Sequence, residues 1–216
     1  MGSYIAERRE EEKDRRRTQI VDAAEALYAE GDWGDVTMDM VARRARLSRA
    51  LIYVYFRDKR ALHFALVERA LAALHRRFEA ASRRRTTGLE KVEAIGRAYV
   101  TFASDVPHYF DACSRFQAHQ PEDAVEDANE AAAIRESRAV LEVLVAALVA
   151  GTGDGSIRGD LGNPLTSAVA LWAFTHGIIQ IAATKGMQLE SLGVAKSRLI
   201  EQSFALLRDS LAARKP

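Results

Sequence analysis

Apolar residues recur at helical spacing along most of the chain. Ile20, Ala23, Ala24, Leu27 and Tyr28 are three and four positions apart, so they share one face of a helix that ends at Gly31. Further stripes with the same spacing are Phe64, Val67, Leu71, Leu74 and Phe78; Val92, Ile95, Tyr99, Phe102 and Val106; and Val140, Leu141, Leu144, Val145 and Leu148. The pattern predicts an all-α protein of about nine helices.

Two helix starts lie close together between Val36 and Ile52. Thr37 and Ser48 can each cap a helix through the side-chain hydroxyl. An apolar residue precedes each cap and another follows it four positions later, which fixes the first turn of each helix. These pairs are Val36 with Val41 and Leu47 with Ile52. Two short helices joined by a tight turn predict a helix-turn-helix, and the helix that ends at Gly31 would brace it.

Basic residues are concentrated in this region. Seven stand against a single acid, Asp58, between Arg43 and Arg60: Arg43, Arg44, Arg46, Arg49, Arg57, Lys59 and Arg60. The whole chain carries a net charge of only +1. Such a local excess attracts a phosphate backbone. A solvated basic face beside a small aromatic core is the alternative interpretation. By helical spacing, Tyr53 and Phe56 can both face inward, whereas Tyr55 can offer its hydroxyl to a phosphate.

Residues 37–62 resemble the DNA-binding domain of the TetR family of bacterial transcriptional repressors. The matching residues are Thr37, Val41, Ala42, Ala45, Ser48, Tyr53, Tyr55, Phe56, Lys59 and Leu62. The chain departs from the family pattern where Arg46 replaces the usual turn glycine, Ala50 a common glycine, and Leu51 a Thr or Ser that often contacts phosphate. An arginine at a position of positive φ costs about 1 kcal/mol unless the turn has another geometry.

The resemblance implies a DNA-reading role for the second helix of the motif. We expect Arg49, Ala50 and Tyr53 to lie nearest the bases of double-stranded DNA. The residues expected at phosphates are Thr37, Ser48, Tyr55 and Lys59. The directions of Arg44 and Arg46 depend on the turn.

Length and composition agree with a cytoplasmic globular protein. At 216 residues, 48% of them apolar, the chain can form a large core. The single cysteine, Cys113, excludes an intrachain disulfide. We find no signal-peptide pattern and expect no apolar run of membrane-spanning length. The predicted domains are 1–62 for DNA binding, with 1–14 as a flexible arm, and 63–216 for ligand binding and dimerisation.

Aromatic residues crowd between positions 99 and 116. They are Tyr99, Phe102, Tyr109, Phe110 and Phe116. Aromatic walls commonly line small-molecule pockets, although each ring alone is better explained by core packing. The resemblance implies a ligand pocket among these helices, so the expected ligand-binding residues are Tyr99, Phe102, Phe110, Phe116, Trp172 and His176. Polar contacts could come from Arg115, Gln117 and His119, and the lining favours an apolar or aromatic effector.

The last two helices predict an assembly. From Leu165 to Ala183, apolar residues cover nearly the whole circumference of a helix, which must then be buried on all sides. Gly177 in its middle indicates a close helix contact. Two copies could pair these helices in a four-helix bundle, the homodimer that the resemblance also implies. The expected interface residues are Val169, Trp172, Ile179, Ile200, Phe204, Leu207 and Leu211.

The sequence thus favours a homodimeric, ligand-responsive repressor of an inverted-repeat operator. A ligand-independent DNA-binding dimer would share the same motifs. An α-helical enzyme is the remaining class, with Cys113 and His119 as a weak candidate dyad. The acids that follow Pro121 are explained by helix capping rather than by a metal site, because no His or Cys lies among them at ligand spacing. We therefore expect no metal, cofactor or catalytic residue.

Overall fold

The computed structural model describes residues 2–117 and 127–213. These residues form ten α-helices, one more than the approximate count expected: α1 (Gly2–Glu30), α2 (Met38–Ala45), α3 (Arg49–Tyr55), α4 (Lys59–Arg83), α5 (Gly88–Asp105), α6 (Pro107–Ser114), α7 (Ala128–Gly153), α8 (Pro164–Thr184), α9 (Gly186–Ser191) and α10 (Lys196–Leu211). An isolated antiparallel bridge joins Ile157 to Ala212. The all-α prediction is confirmed. The predicted helix start at Pro121 and its acids up to Glu126 lie outside the described residues.

The chain divides into two compact units. Unit 1 contains residues 1–71 and 107–135, and unit 2 contains residues 72–106 and 136–216. The division falls inside α4, between Leu71 and Ala72. The domain boundary expected after residue 62 also lies within this helix and stays a prediction.

Unit 1 is built around the helix-turn-helix. The apolar face of α1 is buried as the spacing predicted, with Ile20 and Ala24 fully covered. Val41 from α2, together with Ile52 and Phe56 from the end of α3, adds side chains that are at most 1% exposed. These contacts hold α2 and α3 against α1, so the orientation of α3 is fixed by packing.

The N-terminal segment is helical in the structure. Residues 2–14, which we expected to be a flexible arm, belong to α1, and their flexibility stays a prediction. Ion pairs one helical turn apart support the helix here: Lys13 lies 3.1 Å from Glu10, and Arg16 lies 2.9 Å from Glu12. Such pairs contribute about 0.2–0.5 kcal/mol each to a helix, which composition alone did not reveal.

Unit 2 places its core among α5, α7, α8 and α10. Ile95 and Phe102 from α5 are at most 2% exposed. The N-terminus of α5 approaches α7 so closely that a side-chain carbon on Gly88 would lie 2.0 Å from the backbone nitrogen of Gly151. Only glycine fits at such a contact.

The apolar stripe of α10 faces the core of unit 2. Phe204, Leu207 and Leu211 are 2%, 5% and 4% exposed, and Ile179 of α8 is 7% exposed. Their own chain covers them, so the prediction that these four side chains form a dimer interface is wrong. The spacing had identified a buried face correctly, but the partner that buries it is the same chain.

Helix α8 carries more exposed large apolar side chains than any other described helix. Leu165, Val169, Trp172, Phe174 and Ile181 are each at least 40% exposed, although the helix contains no charged residue. Its 21 residues, with a mean hydropathy of 1.4, meet the length and composition of a membrane span, contrary to our expectation. Nothing lies within 4 Å of a side-chain carbon placed on Gly177, so the close contact expected there is absent within the described chain.

Candidate DNA-binding surface and ligand cavity

Both helices of the motif begin with the predicted caps. The Thr37 hydroxyl oxygen accepts the Met40 N–H at 3.2 Å, and the Ser48 hydroxyl oxygen accepts the Leu51 N–H at 3.2 Å. Between the helices, Arg46 adopts φ 55° and ψ 40°, the left-handed conformation that glycine favours. The turn therefore keeps the geometry expected for this motif, although the residue is an arginine.

Helix α3 has one buried side and one exposed side. Ile52 is fully buried, and Phe56 just after the helix is 1% exposed. Arg49, Ala50 and Tyr53, the residues expected nearest the bases, all lie on the exposed side. Tyr53 is 41% exposed, so the expectation that it faces inward with Phe56 is wrong. Its exposure makes it available to DNA.

The residues expected at phosphates surround this exposed side. Thr37 and Ser48 are exposed and Tyr55 is half-buried. Each capping hydroxyl uses its oxygen as an acceptor and keeps its proton for donation. Lys59 is more constrained, because its Nζ donates to the Gly34 carbonyl oxygen at 2.9 Å and lies 5.2 Å from the centre of the Trp33 ring. Burial lowers the pKa of Lys59, against an opposing effect of Asp32 and Asp35.

Acids from other segments neutralise part of the basic region. Arg44 donates to both carboxylate oxygens of Glu30, at 2.9 and 2.5 Å. Arg49 lies 3.1 Å from Asp39. Sequence counting missed these pairs because each acid lies outside residues 43–60, so the effective charge of the region is lower than the count suggested.

Two arginines of the motif remain uncompensated. Among the described residues, neither Arg43 nor Arg46 has a side-chain hydrogen bond or an ion pair, and both are exposed. Arg57, by contrast, lies 3.2 Å from Asp58. Arg43 and Arg46 are thus the arginines between positions 43 and 57 most available to an external phosphate.

An aromatic cluster supports the motif from inside unit 1. Trp33 stacks on His63 with ring centres 5.2 Å apart, and Tyr28 lies against Trp33 at 5.3 Å. Trp33, which is 9% exposed, therefore has a packing role. The Nδ1 atom of His63 is buried without a hydrogen-bond partner among the described residues. Burial lowers the pKa of His63 to about 4, so its ring is neutral at physiological pH.

In unit 2 a small cavity lies next to Tyr99 and Trp172. It measures about 30 Å³. Its walls are formed by Phe78, Val92, Ile95, Gly96, Tyr99, Leu144, Leu171, Trp172, Thr175 and Leu207. The Tyr99 hydroxyl and the Nδ1 of His176 are 2.9 Å apart, and the Trp172 Nε1–H donates to the Tyr99 oxygen at 3.4 Å. Burial lowers the pKa of His176.

The structure brings together only part of the expected ligand site. Tyr99, Trp172 and His176 form the polar and aromatic network at the cavity, while Phe102 is fully buried and does not line it. Phe110 and Phe116 belong to unit 1, where Phe116 packs edge-on against Phe64 at 5.9 Å. Thr175 and Leu171 line the cavity and were missed, because the sequence spacing does not report which positions face a void.

The other polar candidates lie elsewhere. Arg115 donates to Asp111 at 2.9 Å and to Asp32 at 3.1 Å within unit 1. Gln117 is exposed, and His119 lies outside the described residues. Burial raises the pKa of the Cys113 thiol to about 12. A thiol that stays protonated at neutral pH is a poor nucleophile, which argues against the Cys113–His119 dyad.

An all-α chain with a helix-turn-helix, an exposed second helix and basic side chains around it defines a DNA-binding transcriptional regulator. The profile of the bacterial regulatory proteins of the tetR family matches residues 20–66. The profile of the tetracyclin repressor-like C-terminal domain matches residues 92–213, more than half of the chain. The chain belongs to the TetR family. Regulators of this family are soluble DNA-binding proteins, so the hydropathy of α8 does not indicate a membrane protein.

Solved structures share this fold. A protein of unknown function from Rhodococcus sp. RHA1 has a TM-score of 0.73 at 22% identity, covering 91% of this chain and 95% of its own. A tetR-family regulatory protein from Rhodococcus RHA1 has a TM-score of 0.66 at 16% identity, with 93% and 98% covered. The regulator FadR from Bacillus subtilis, solved with stearoyl-CoA, has a TM-score of 0.66 at 16% identity, with 89% and 98% covered. A search of curated protein sequences gave no match.

Proposed function

We propose that this regulator is a homodimeric repressor that binds an inverted-repeat operator and is released by a small apolar or aromatic effector. The observation that carries this proposal is the exposed side of α3, which presents Arg49, Ala50 and Tyr53. Arg43 and Arg46, which have no ion pair among the described residues, are also exposed. Base-edge contacts from this side would give sequence specificity. Thr37, Ser48, Tyr55 and Lys59 would position the protein on phosphates.

The homodimer is supported by the uncovered surface of α8. Val169 and Trp172, two of the expected interface residues, are 40% and 50% exposed, and Ile181 on the same helix is 46% exposed. Leu206, 57% exposed on α10, replaces the buried Phe204, Leu207 and Leu211 as the apolar contribution of that helix. Val169 and Trp172 are three positions apart and share one face of α8, and an uncovered apolar face is typical of a protein interface. A two-fold dimer would read half-sites about 34–36 Å apart.

The effector site is proposed at the network of Tyr99, Trp172 and His176. Aromatic rings would hold an apolar ligand there, and the hydroxyl and imidazole would supply polar contacts. Ligand pockets usually measure about 300–1,000 Å³, so binding in the 30 Å³ cavity requires Trp172 or its neighbours to move. FadR from Bacillus subtilis, which shares this fold, was solved with stearoyl-CoA, a ligand that combines an apolar acyl chain with a charged coenzyme A group. The effector would favour a dimer whose DNA-binding heads are wrongly spaced.

Fluorescence anisotropy with the intergenic DNA upstream of the protein's own gene tests operator binding. We expect a Kd near 10⁻⁸ M, about a thousandfold tighter than for a scrambled duplex. Weak binding of equal strength to both duplexes, and no sequence enriched from random DNA, would rule out a specific regulator. The same probe then screens apolar compounds for release of the DNA.

The small cavity gives specific support to a second function, a ligand-independent DNA-binding dimer. A void of 30 Å³ has room for about one water molecule. Thermal shifts with a panel of apolar and aromatic compounds separate the two proposals. Stabilisation of the wild-type protein that is reduced in Tyr99→Phe supports the effector site, because this substitution removes only the hydroxyl. A panel without any shift supports the ligand-independent dimer.

A further inference from the structure

Val54 is an apolar residue on the DNA-reading helix that its own chain does not cover. It is 76% exposed, more than any other large apolar residue of α3, whereas the adjacent Ile52 is fully buried. Most of its side chain therefore makes no contribution to the core of unit 1. The side chain of Val54 is therefore available to a partner outside the chain.

The neighbourhood of Val54 is also apolar. Ala50 precedes it by four positions, so both side chains lie on the same exposed side of α3. The nearest charged group on the helix, Arg49, is held by Asp39 at 3.1 Å and lies 5.7 Å from the centre of the Tyr53 ring. Beside the exposed Tyr53, the surface between Arg49 and Arg57 thus offers the methyl groups of Ala50 and Val54, framed by exposed arginines.

The major groove contains one apolar group that matches such a surface. Thymine carries a C5-methyl there, whereas the other exposed base edges present hydrogen-bond donors and acceptors. We propose that Val54, together with Ala50, contacts thymine methyl groups and thereby selects A·T pairs at defined positions of each half-site. This inference rests on the proposed operator binding and names the base chemistry that α3 reads.

Spacing along the helix sets the distance between the selected positions. Side chains four residues apart on a helix are about 5–6 Å apart at Cβ. Successive bases of one strand are about 3.4 Å apart along the duplex axis. The two thymines contacted by Ala50 and Val54 therefore lie about two base steps apart. Val54, with the larger side chain and an exposed fraction of 76%, accounts for most of the discrimination.

The test removes single methyl groups from the DNA. The full-length protein first selects its binding sequence from random duplexes, and each thymine of that sequence is then replaced by deoxyuridine, which lacks only the C5-methyl. For the wild-type protein, one replacement in a single half-site should weaken binding roughly three- to fivefold, the value of one buried methyl. In Val54→Ala, the same replacement should have an effect of less than about 1.5-fold, because the partner methyl groups are gone.

Two controls keep the outcomes distinct. Val149→Ala removes the same atoms from a valine that is 54% exposed on α7, and it should retain the full response to uracil. Circular dichroism checks that Val54→Ala is folded, as expected for so exposed a residue. A selected sequence whose uracil responses are identical in the wild type and Val54→Ala overturns the thymine inference and leaves operator binding intact. Failure to select any sequence overturns both proposals.

Discussion

Arg46 combines two properties in the turn of the motif. Its backbone is left-handed, with φ 55°, and its guanidinium is exposed without an ion pair among the described residues. A side chain in this backbone region costs about 1–2 kcal/mol, which glycine would avoid. The arginine therefore lowers the stability of the turn but places a positive charge next to α3.

Replacing Arg46 separates these two effects. Arg46→Gly should raise the free energy of unfolding by about 0.5–1 kcal/mol, since relief of the backbone exceeds the added entropy of the unfolded chain. Arg46→Ala should give no such gain, because alanine keeps the side-chain cost. Urea denaturation measures both. A gain of equal size in the two variants would contradict the backbone explanation.

His63 links the stability of unit 1 to pH. Its pKa is lowered from 6.5 to about 4, chiefly by burial, while Asp111 opposes and Arg115 and Lys59 reinforce that shift. The unfolded chain therefore binds the proton more readily than the folded chain. The contribution of this site to the free energy of unfolding is fully present above pH 6.5 and is lost as the pH falls towards 4.

A non-titrating ring tests this linkage. His63→Phe keeps an aromatic ring against Trp33 but cannot bind a proton. Between pH 7 and pH 4.5, the wild type should lose on the order of 1–3 kcal/mol more of its unfolding free energy than the variant. Denaturation midpoints at several pH values give this difference. The same acid loss in both proteins would mean that groups other than His63 control it.

The helices of the motif were largely predictable, because their signals are local. Thr37 and Ser48 form the hydrogen bonds that their positions predicted, and the match to the family fixed the place of the turn. The pairing of Arg49 with Asp39 was not predictable, since it depends on how two helices meet. The ligand site had the same limit: Tyr99 and His176 are 77 positions apart, and only tertiary packing brings them together.

Arg49 and Lys59 should contribute differently to DNA binding. Arg49→Ala should reduce discrimination between operator and random DNA by about ten- to a hundredfold, as loss of one base contact implies. Lys59→Ala should weaken binding to both by similar factors and reduce the slope of log affinity against log salt by about one. Lys91→Ala on α5 of unit 2 is the matched control. Equal losses on both DNAs for Arg49→Ala would disprove its base contact.

The apolar stripe of α10 shows that residue spacing does not determine which chain buries a helix face. Periodicity identified Phe204 and Leu207 as buried, but it could not distinguish the core of the chain from the surface of a second copy. The structure settles the burial of these residues. It also shows that apolar side chains of α8, together with Leu206 of α10, remain exposed.

A charge on α8 tests the dimer. Val169→Glu should shift the protein from dimer to monomer at micromolar concentrations, because it places an unpaired carboxylate in an apolar interface. Val149→Glu, on a similarly exposed valine of α7, should leave the mass unchanged. Sedimentation velocity measures both. A dimer that withstands the change at Val169 would place the interface elsewhere.

The bare surface of α8 has a consequence for gene control. If assembly through this helix precedes DNA binding, occupancy of the operator rises with the square of the free monomer concentration while dimers are scarce. Halving the number of molecules, as in a dividing cell that has stopped making them, would then cut occupancy about fourfold at the low end of the curve. The strength of one apolar contact would set how many copies a cell needs to keep a gene silent.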